Sequence, residues 1–219
     1  MSSDLVVQVF ARYPRPGQVK SRLVPTLGEQ ASYELQLAML DDLLGRLAVC
    51  CNVELWGTES EDLPHYQRML GICGGHFQLQ RGNDLGERMQ FAVDSALQRS
   101  LVPVLVGADC PQIDCAVLAQ IESLLDRGTQ AVMVPANDGG YVALALTCSH
   151  DSLFRDIEWG TDVVAGKTRA AMQRAGIQYD MLAEQVDIDN ARDLALLETL
   201  SMDDNPALYR WLQQYRSLY

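Results

Sequence analysis

The stretch that most constrains the fold is residues 101–111, LVPVLVGADCP. A nearly unbroken apolar run, 101–106, reads as a strand buried on both faces, which in turn implies a parallel sheet covered by helices. Gly107 and Ala108 let the chain turn sharply, and Pro111 blocks continuation of the strand. Open parallel sheets bind ligands just outside the carboxyl ends of their strands. Asp109 therefore stands where such a sheet presents a carboxylate to a metal or a polar ligand. An aspartate there also caps a following helix, and the motif alone leaves both roles open.

The rest of the chain alternates in the same sense. Residues 5–10 read as the first strand. A capping box, Thr26 to Glu29, opens a helix to about residue 49 with Tyr33, Leu37, Leu40, Leu44 and Leu47 on its apolar stripe. A short strand at 53–56, a helix at 64–70 closed by Gly71, Gly74 and Gly75, and a strand at 77–80 follow. Asn83 or Asp84 caps the helix carrying Met89, Val93 and Leu97. Asp114 caps the next, with Val117, Ile121, Leu124 and Leu125 inward. A strand at 131–134 turns at PANDGGY and returns as 141–146. Trp159-Gly160-Thr161 opens a helix over 162–175. Residues 186–190 read as a strand end bearing Asp187 and Asp189, with one of Asp189 and Asn190 capping a helix to Leu200. Leu208, Trp211, Leu212 and Tyr215 recur at helical spacing, so 203–219 form a final helix that docks on the body or on a second copy as a homodimer contact. Strands alternating with helices give one α/β domain over 1–219 with a mostly parallel sheet.

Composition narrows the function. With 17 Lys plus Arg against 29 Asp plus Glu, the formal net charge of -12 argues against nucleic acid or an anionic membrane as partner. The N-terminal apolar run is short and broken by Gln8, and no segment approaches the roughly 20 apolar residues of a membrane helix. The six cysteines, at 50, 51, 73, 110, 115 and 148, form no C-x-x-C pair and no zinc spacing. The expectation is a reduced thiol set in a cytoplasmic protein. Cys110 reads as packed rather than nucleophilic, having no histidine near it in sequence.

Against this acidic background the loop after the first strand is a basic island. Arg12, Arg15, Lys20 and Arg22 fall between Asp4 and Glu29 with no acid among them. Cations and a glycine, Gly17, at a strand end suit phosphate oxygens; a solvated basic loop is the plainer alternative. Asp109, Asp138 and the Asp187/Asp189 pair all follow strand ends. Hard oxygen ligands of this kind suit Mg²⁺ or Mn²⁺ bridged to substrate phosphates. The glycines at 82, 139 and 140 allow close approach to a bound molecule, as ordinary turns also would. Trp159 suits stacking on a sugar or base, or a core anchor. There is no G-x-x-x-x-G-K-[ST] and no G-x-G-x-x-G after the first strand, which removes P-loop and dinucleotide-oxidoreductase readings.

Taken together, FARYPRPGQVKSRL, RGNDLGERM, VGADCP, PANDGGY, WGT and DIDNARDL resemble the bacterial transferase family called selenodomain-associated transferase 1. Its members are predicted glycosyltransferases of the glycosyltransferase-A fold, a Rossmann-like nucleotide-diphospho-sugar transferase architecture. The motifs run in the same order from about Leu5 to Leu196, and are more loosely similar to molybdenum-cofactor and phospholactate guanylyltransferases. The resemblance implies that Arg12, Lys20 and Arg22 contact donor phosphates, with Arg15 in the same loop. It implies Gly82 and Asp84 beside the nucleoside, and Asp138, Gly139 and Gly140 beside the transferred group. Tyr141 and Trp159 complete the donor and acceptor pocket. Asp109 takes the place of the Asp-x-Asp metal signature, though alone, and Asp187 or Asp189 supplies a second ligand. Arg12, Ser21, Val142 and Asn190 depart from the lysine, threonine, tyrosine and threonine of the family pattern. The expectation is a metal-dependent transferase that moves a sugar from a nucleotide sugar to a small-molecule acceptor, with Asp138 nearest the reacting centre. The alternatives are a nucleotidyltransferase that takes NTP and releases pyrophosphate, and a nucleotide-binding module without turnover.

Overall fold

The computed structural model describes residues 4–219. Seven strands form one sheet in the order β3-β2-β1-β4-β6-β5-β7. They are β1 (Leu5–Phe10), β2 (Asn52–Gly57), β3 (His76–Leu79), β4 (Val102–Gly107), β5 (Ala131–Pro135), β6 (Tyr141–Leu146) and β7 (Tyr179–Met181). The helices are α1 (Val24–Leu47), α2 (Leu63–Cys73), α3 (Leu85–Gln98), α4 (Cys115–Asp126), α5 (Val164–Arg174) and α6 (Pro206–Tyr215). All strands run parallel except β6, which pairs antiparallel with both β4 and β5. The expected α/β class, mostly parallel sheet and hairpin at 136–140 are present.

Strand alternation sorts the core onto two faces. Val7, Val9, Val104 and Val106 pack with α1, α2 and α4, while Leu105, Met133 and Leu144 pack with α3 and α5. Gln8, fully buried in β1, donates to Glu54 and to the Ala92 carbonyl, and Arg99 pairs with Glu54; the Gln8 Oε1 atom is buried without a hydrogen-bond partner. A third cluster joins the first half of α1 to Ile188, Leu194, Leu197, Leu208 and Trp211. There α6 lies on α1, held by Asp42, whose carboxylate accepts the Ala207 and Leu208 N–H groups.

β1 is the pivot of the topology. It has β2 on one side and β4 on the other, in parallel register with Phe10 opposite Gly107. The loops that leave β1 and β4 therefore start side by side at one edge of the sheet. That is the switch point where doubly wound sheets open a crevice.

Four expectations are corrected. Thr26 and Glu29 make no capping box: Gly28 sits at φ +79°, outside helical space, and splits a first turn from the body of α1. Residues 186–190 are not a strand. The strand is β7, and the chain after it crosses the sheet's carboxyl edge as a strap, bridged from Gln185 to Ala136 and from the Ile188 N–H to the Asp109 carbonyl. The following helix is a 3₁₀ segment, Asp193–Thr199; at its entrance Asn190 Oδ1 accepts the Arg192 N–H, one of the two expected caps, and Asp193 Oδ2 accepts the N–H groups of Asp189 and Asn190. Nor are the thiols all reduced: Cys50 and Cys115 form a disulfide between the end of α1 and the start of α4. Spacing gave no hint of it, because the two residues are 65 apart and only the packing of α4 beside α1 brings them together. Cys51, Cys110 and Cys148 are free, and the Cys73 side chain lies outside the described residues. Among those residues no helix is long and apolar enough to cross a membrane.

Candidate active site

A cleft of about 640 Å³ opens at the carboxyl edge of β1, β4 and β5. The β1 loop supplies Arg12 and Lys20, the β4 loop Asp109, the β5–β6 turn Asp138, Gly140 and Tyr141, and the strap Asp187 and Asp189. Trp159 also lines the cleft. These residues span 178 positions of sequence and meet because every segment that carries them leaves or crosses the same edge.

The centre is a three-part contact. Lys20 Nζ stands 3.0 Å from Asp109 Oδ2, with the lysine side chain 3% exposed and that of the aspartate 47% exposed. On the other oxygen, Gln36 Nε2 donates to Asp109 Oδ1 at 3.0 Å. Lys20 also adopts φ +49°, a region sparsely populated for residues with a Cβ, as do Ser100 and Asp156 away from this cleft. The chain has fifteen arginines but only two lysines, Lys20 and Lys167. A compact ammonium at this one buried place is a specific choice, since guanidinium is planar and larger.

Around this centre the acids repel one another. Burial, and then the charge of Asp138, pushes the Asp187 carboxyl up to about 6, with Asp109 adding to the effect and Lys20 opposing it. Arg22 pairs with Asp189. Asp138 Oδ1 accepts the Gly140 N–H at 2.8 Å, which fixes the turn. Gly139, at φ +90°, does not line the cleft. It presses on the backbone of Asp162, where an added Cβ would lie 2.2 Å from the carbonyl oxygen. Cys110 is buried, donates to Gln185 Oε1 at 3.2 Å, and has its thiol pushed up to about 11 by burial, as expected of a packed cysteine.

The structure separates other residues from the cleft. Arg15 turns away to pair with Asp62 at 2.7 Å and Glu59 at 3.3 Å. Gly82 and Asp84 line a neighbouring groove on the outer side of α3, and Asp84 is spent as the cap of that helix, accepting the Glu87 N–H. Two residues outside the sequence expectations join the site. Arg88, one helical turn beyond Asp84, lines the cleft, with its Nε donating to the Gly82 carbonyl. Neither it nor Arg12 has a carboxylate partner among the described residues. Gln36 is 7% exposed on α1. Its signal was a polar residue on an apolar helical face; that of Arg88 was its register behind a capped glycine loop.

No three acidic, histidine or cysteine side chains among the described residues converge tightly enough to make a metal centre by themselves. What the cleft offers is one or two carboxylates facing space that phosphates would share. Mg²⁺ is commonly held in that way, by few protein ligands together with substrate oxygens.

The family model described as "Uncharacterized protein conserved in bacteria (DUF2064)" matches residues 43–161. No curated protein matches the chain. Among solved structures, a candidate nucleotide-diphospho-sugar transferase from Desulfovibrio desulfuricans G20 is 28% identical over 99% of this chain and 96% of its own, with a TM-score of 0.88. A cytidylyltransferase from Leptospira borgpetersenii serovar Hardjo-bovis (strain JB197) is 14% identical over 99% and 96%, with a TM-score of 0.57. The 4-diphosphocytidyl-2C-methyl-D-erythritol synthase of Anaerococcus prevotii DSM 20548 is 10% identical over 88% and 93%, with a TM-score of 0.55. The last two likenesses concern the fold, which is that of the nucleotide-diphospho-sugar transferases.

Proposed function

The chain belongs to the DUF2064 family of bacterial proteins, and we propose that it is a transferase acting on a nucleotide-activated donor, most simply a nucleotide sugar. The observation that carries this reading is the meeting of Lys20 with Asp109 across the cleft at the β1/β4 switch point. Lys20, Arg12 and Arg88 offer cations to a diphosphate, while Asp109 and Asp187 face the same space. The likeness to the Desulfovibrio protein over nearly the whole chain supports a nucleotide-diphospho-sugar donor.

In this reading the acceptor's hydroxyl oxygen attacks the anomeric carbon and gives up its proton to the Asp138 carboxylate, the group nearest the reacting centre. The bond from that carbon to the diphosphate oxygen breaks, and the electron pair leaves with the nucleoside diphosphate. Lys20 and Arg12 hold the charge that builds on the leaving oxygens. Asp138, at the mouth of the turn beside Gly140, lies nearest the transferred group, and Tyr141 and Trp159 wall the acceptor side. Asp109 and Asp187 would hold Mg²⁺ or Mn²⁺ together with donor phosphate oxygens, and the ion would supply Lewis-acid stabilisation of the leaving diphosphate.

A second reading keeps the cleft and changes the bond broken. The shared fold with cytidylyltransferases, and three cations in reach of a polyphosphate, support attack of an acceptor phosphate oxygen on the α-phosphorus of an NTP. Pyrophosphate then leaves.

The deciding experiment is a thermal-shift screen of nucleotides and nucleotide sugars with Mg²⁺ or Mn²⁺, followed by product analysis. A ligand at about a hundred times its dissociation constant stabilises the native state by roughly 2.7 kcal/mol. Release of nucleoside diphosphate selects the first reading and release of pyrophosphate the second. Binding with no turnover of any donor overturns both and leaves a nucleotide-binding module.

A further inference from the structure

We infer that Gln36 is a positioning residue for Asp109: from α1 it holds one carboxylate oxygen so that the other alone faces the cleft. This rests on the reading of Asp109 as a group that works in the cleft. Gln36 Nε2 donates to Asp109 Oδ1 at 3.0 Å and lies 3.3 Å from the Ala108 carbonyl, so one amide nitrogen spans the backbone and side chain of consecutive residues. Asp109 Oδ2 is left to Lys20 at 3.0 Å. Without the amide, Lys20 alone holds this half-exposed carboxylate, through Oδ2, and nothing fixes the rotation that sets the direction of Oδ1. Gln36 is itself fixed, being 7% exposed and preceded by Leu35, which is fully buried. A neutral donor is the right chemistry, since it orients the carboxylate without cancelling its charge. Outer-shell partners of ligating groups commonly act in this way.

A purely structural alternative is that Gln36 only ties α1 to the β4 loop through the Ala108 carbonyl. The two roles separate experimentally because the chain has only two lysines. In protein labelled with ¹⁵N at lysine Nζ, Lys20 gives one ammonium signal and exposed Lys167 the reference. Gln36→Met keeps the volume and removes the donor. Gln36→Asn keeps the amide one methylene short, and carries the same test should Gln36→Met fail to fold. The expected result is that both variants shift or lose the Lys20 signal and leave that of Lys167 in place. They also weaken binding of Mg²⁺ alone, read by calorimetry, by about tenfold, while the melting temperature stays within a few degrees of wild type. A Lys20 signal and Mg²⁺ affinity both unchanged overturn the inference, whatever happens to the melting temperature. Should wild type bind no Mg²⁺, the metal assignment above fails, and the Lys20 signal by itself decides the role of Gln36.

Discussion

At the residue scale the cleft is a problem of charge. Lys20 is enclosed and seated on Asp109, a place where a compact ammonium and a planar guanidinium are not interchangeable. Lys20→Met and Lys20→Arg should both lower donor turnover by about a hundredfold, the loss typical when one stabilising donor is removed, while Lys167→Met changes nothing. Recovery of activity by Lys20→Arg would show that only positive charge matters there. Asp187 carries the opposite signature. Its carboxyl is raised from 3.8 to about 6 by burial and by its acidic neighbours. A raised carboxyl binds its proton more tightly in the native state than in the unfolded one, so its ionisation costs stability as pH rises from about 4 to 6 and beyond. Asp187→Asn should therefore raise the melting temperature at pH 7.5, with the gain fading as pH falls toward 4. In wild type, Mn²⁺ binding followed by electron paramagnetic resonance should weaken as pH falls below about 6. A pH-independent Mn²⁺ affinity between 5 and 7.5 would remove Asp187 from the ligand set.

At the scale of elements, position is set by close approach of backbones. The β5–β6 turn presents Asp138 only because Gly139 lets it lie against the segment entering α5, where the Ala165 N–H donates to the Gly139 carbonyl. Gly139→Ala adds a Cβ against Asp162 on a left-handed backbone. The backbone conformation alone costs about 1–3 kcal/mol, and the clash adds to it. The variant should melt several degrees lower and lose affinity for whatever ligand the screen identifies. Gly86 does similar work on α3, where the Phe154 carbonyl passes so close that a Cβ would lie 2.3 Å from it, with the Trp159 indole beside it. Trp159 packs on Phe154 and lines the cleft. Of the two roles open in the sequence, the packing on Phe154 is that of a core anchor, and stacking on a sugar or base belongs to the proposed function.

At the scale of the molecule, the disulfide joins two helices on one face of the sheet, and α4 begins six residues after Asp109. Closing a loop of 65 residues contributes about 4 kcal/mol in the chain-entropy account. Reduction with dithiothreitol should thus lower the melting temperature by roughly 10 °C in a domain of this size. An unchanged transition after complete reduction would mean that the packing of α1 and α4 carries that stability without the bond.

Much of this was legible in the chain itself. Apolar runs ending in Gly107-Ala108-Asp109 and Pro135-Ala136-Asn137-Asp138 determine buried parallel strands with carboxylates at their ends, because burial on both faces and a turn leave few other arrangements. The caps at Asp84 and Asp114 were legible for the same local reason. Three-dimensional packing alone decided which charges meet. Arg15 was lost to Asp62, 47 residues away, and Gln36 was gained from a helix face that reads as core. The strap carrying Asp187 touches the end of β5 only at Gln185 and takes its other bonds from Gln112 and Asp109, so no run of paired residues marks it as a strand. Local periodicity encodes which face of an element is buried; it holds no information on which distant side chain will stand opposite once the sheet is assembled.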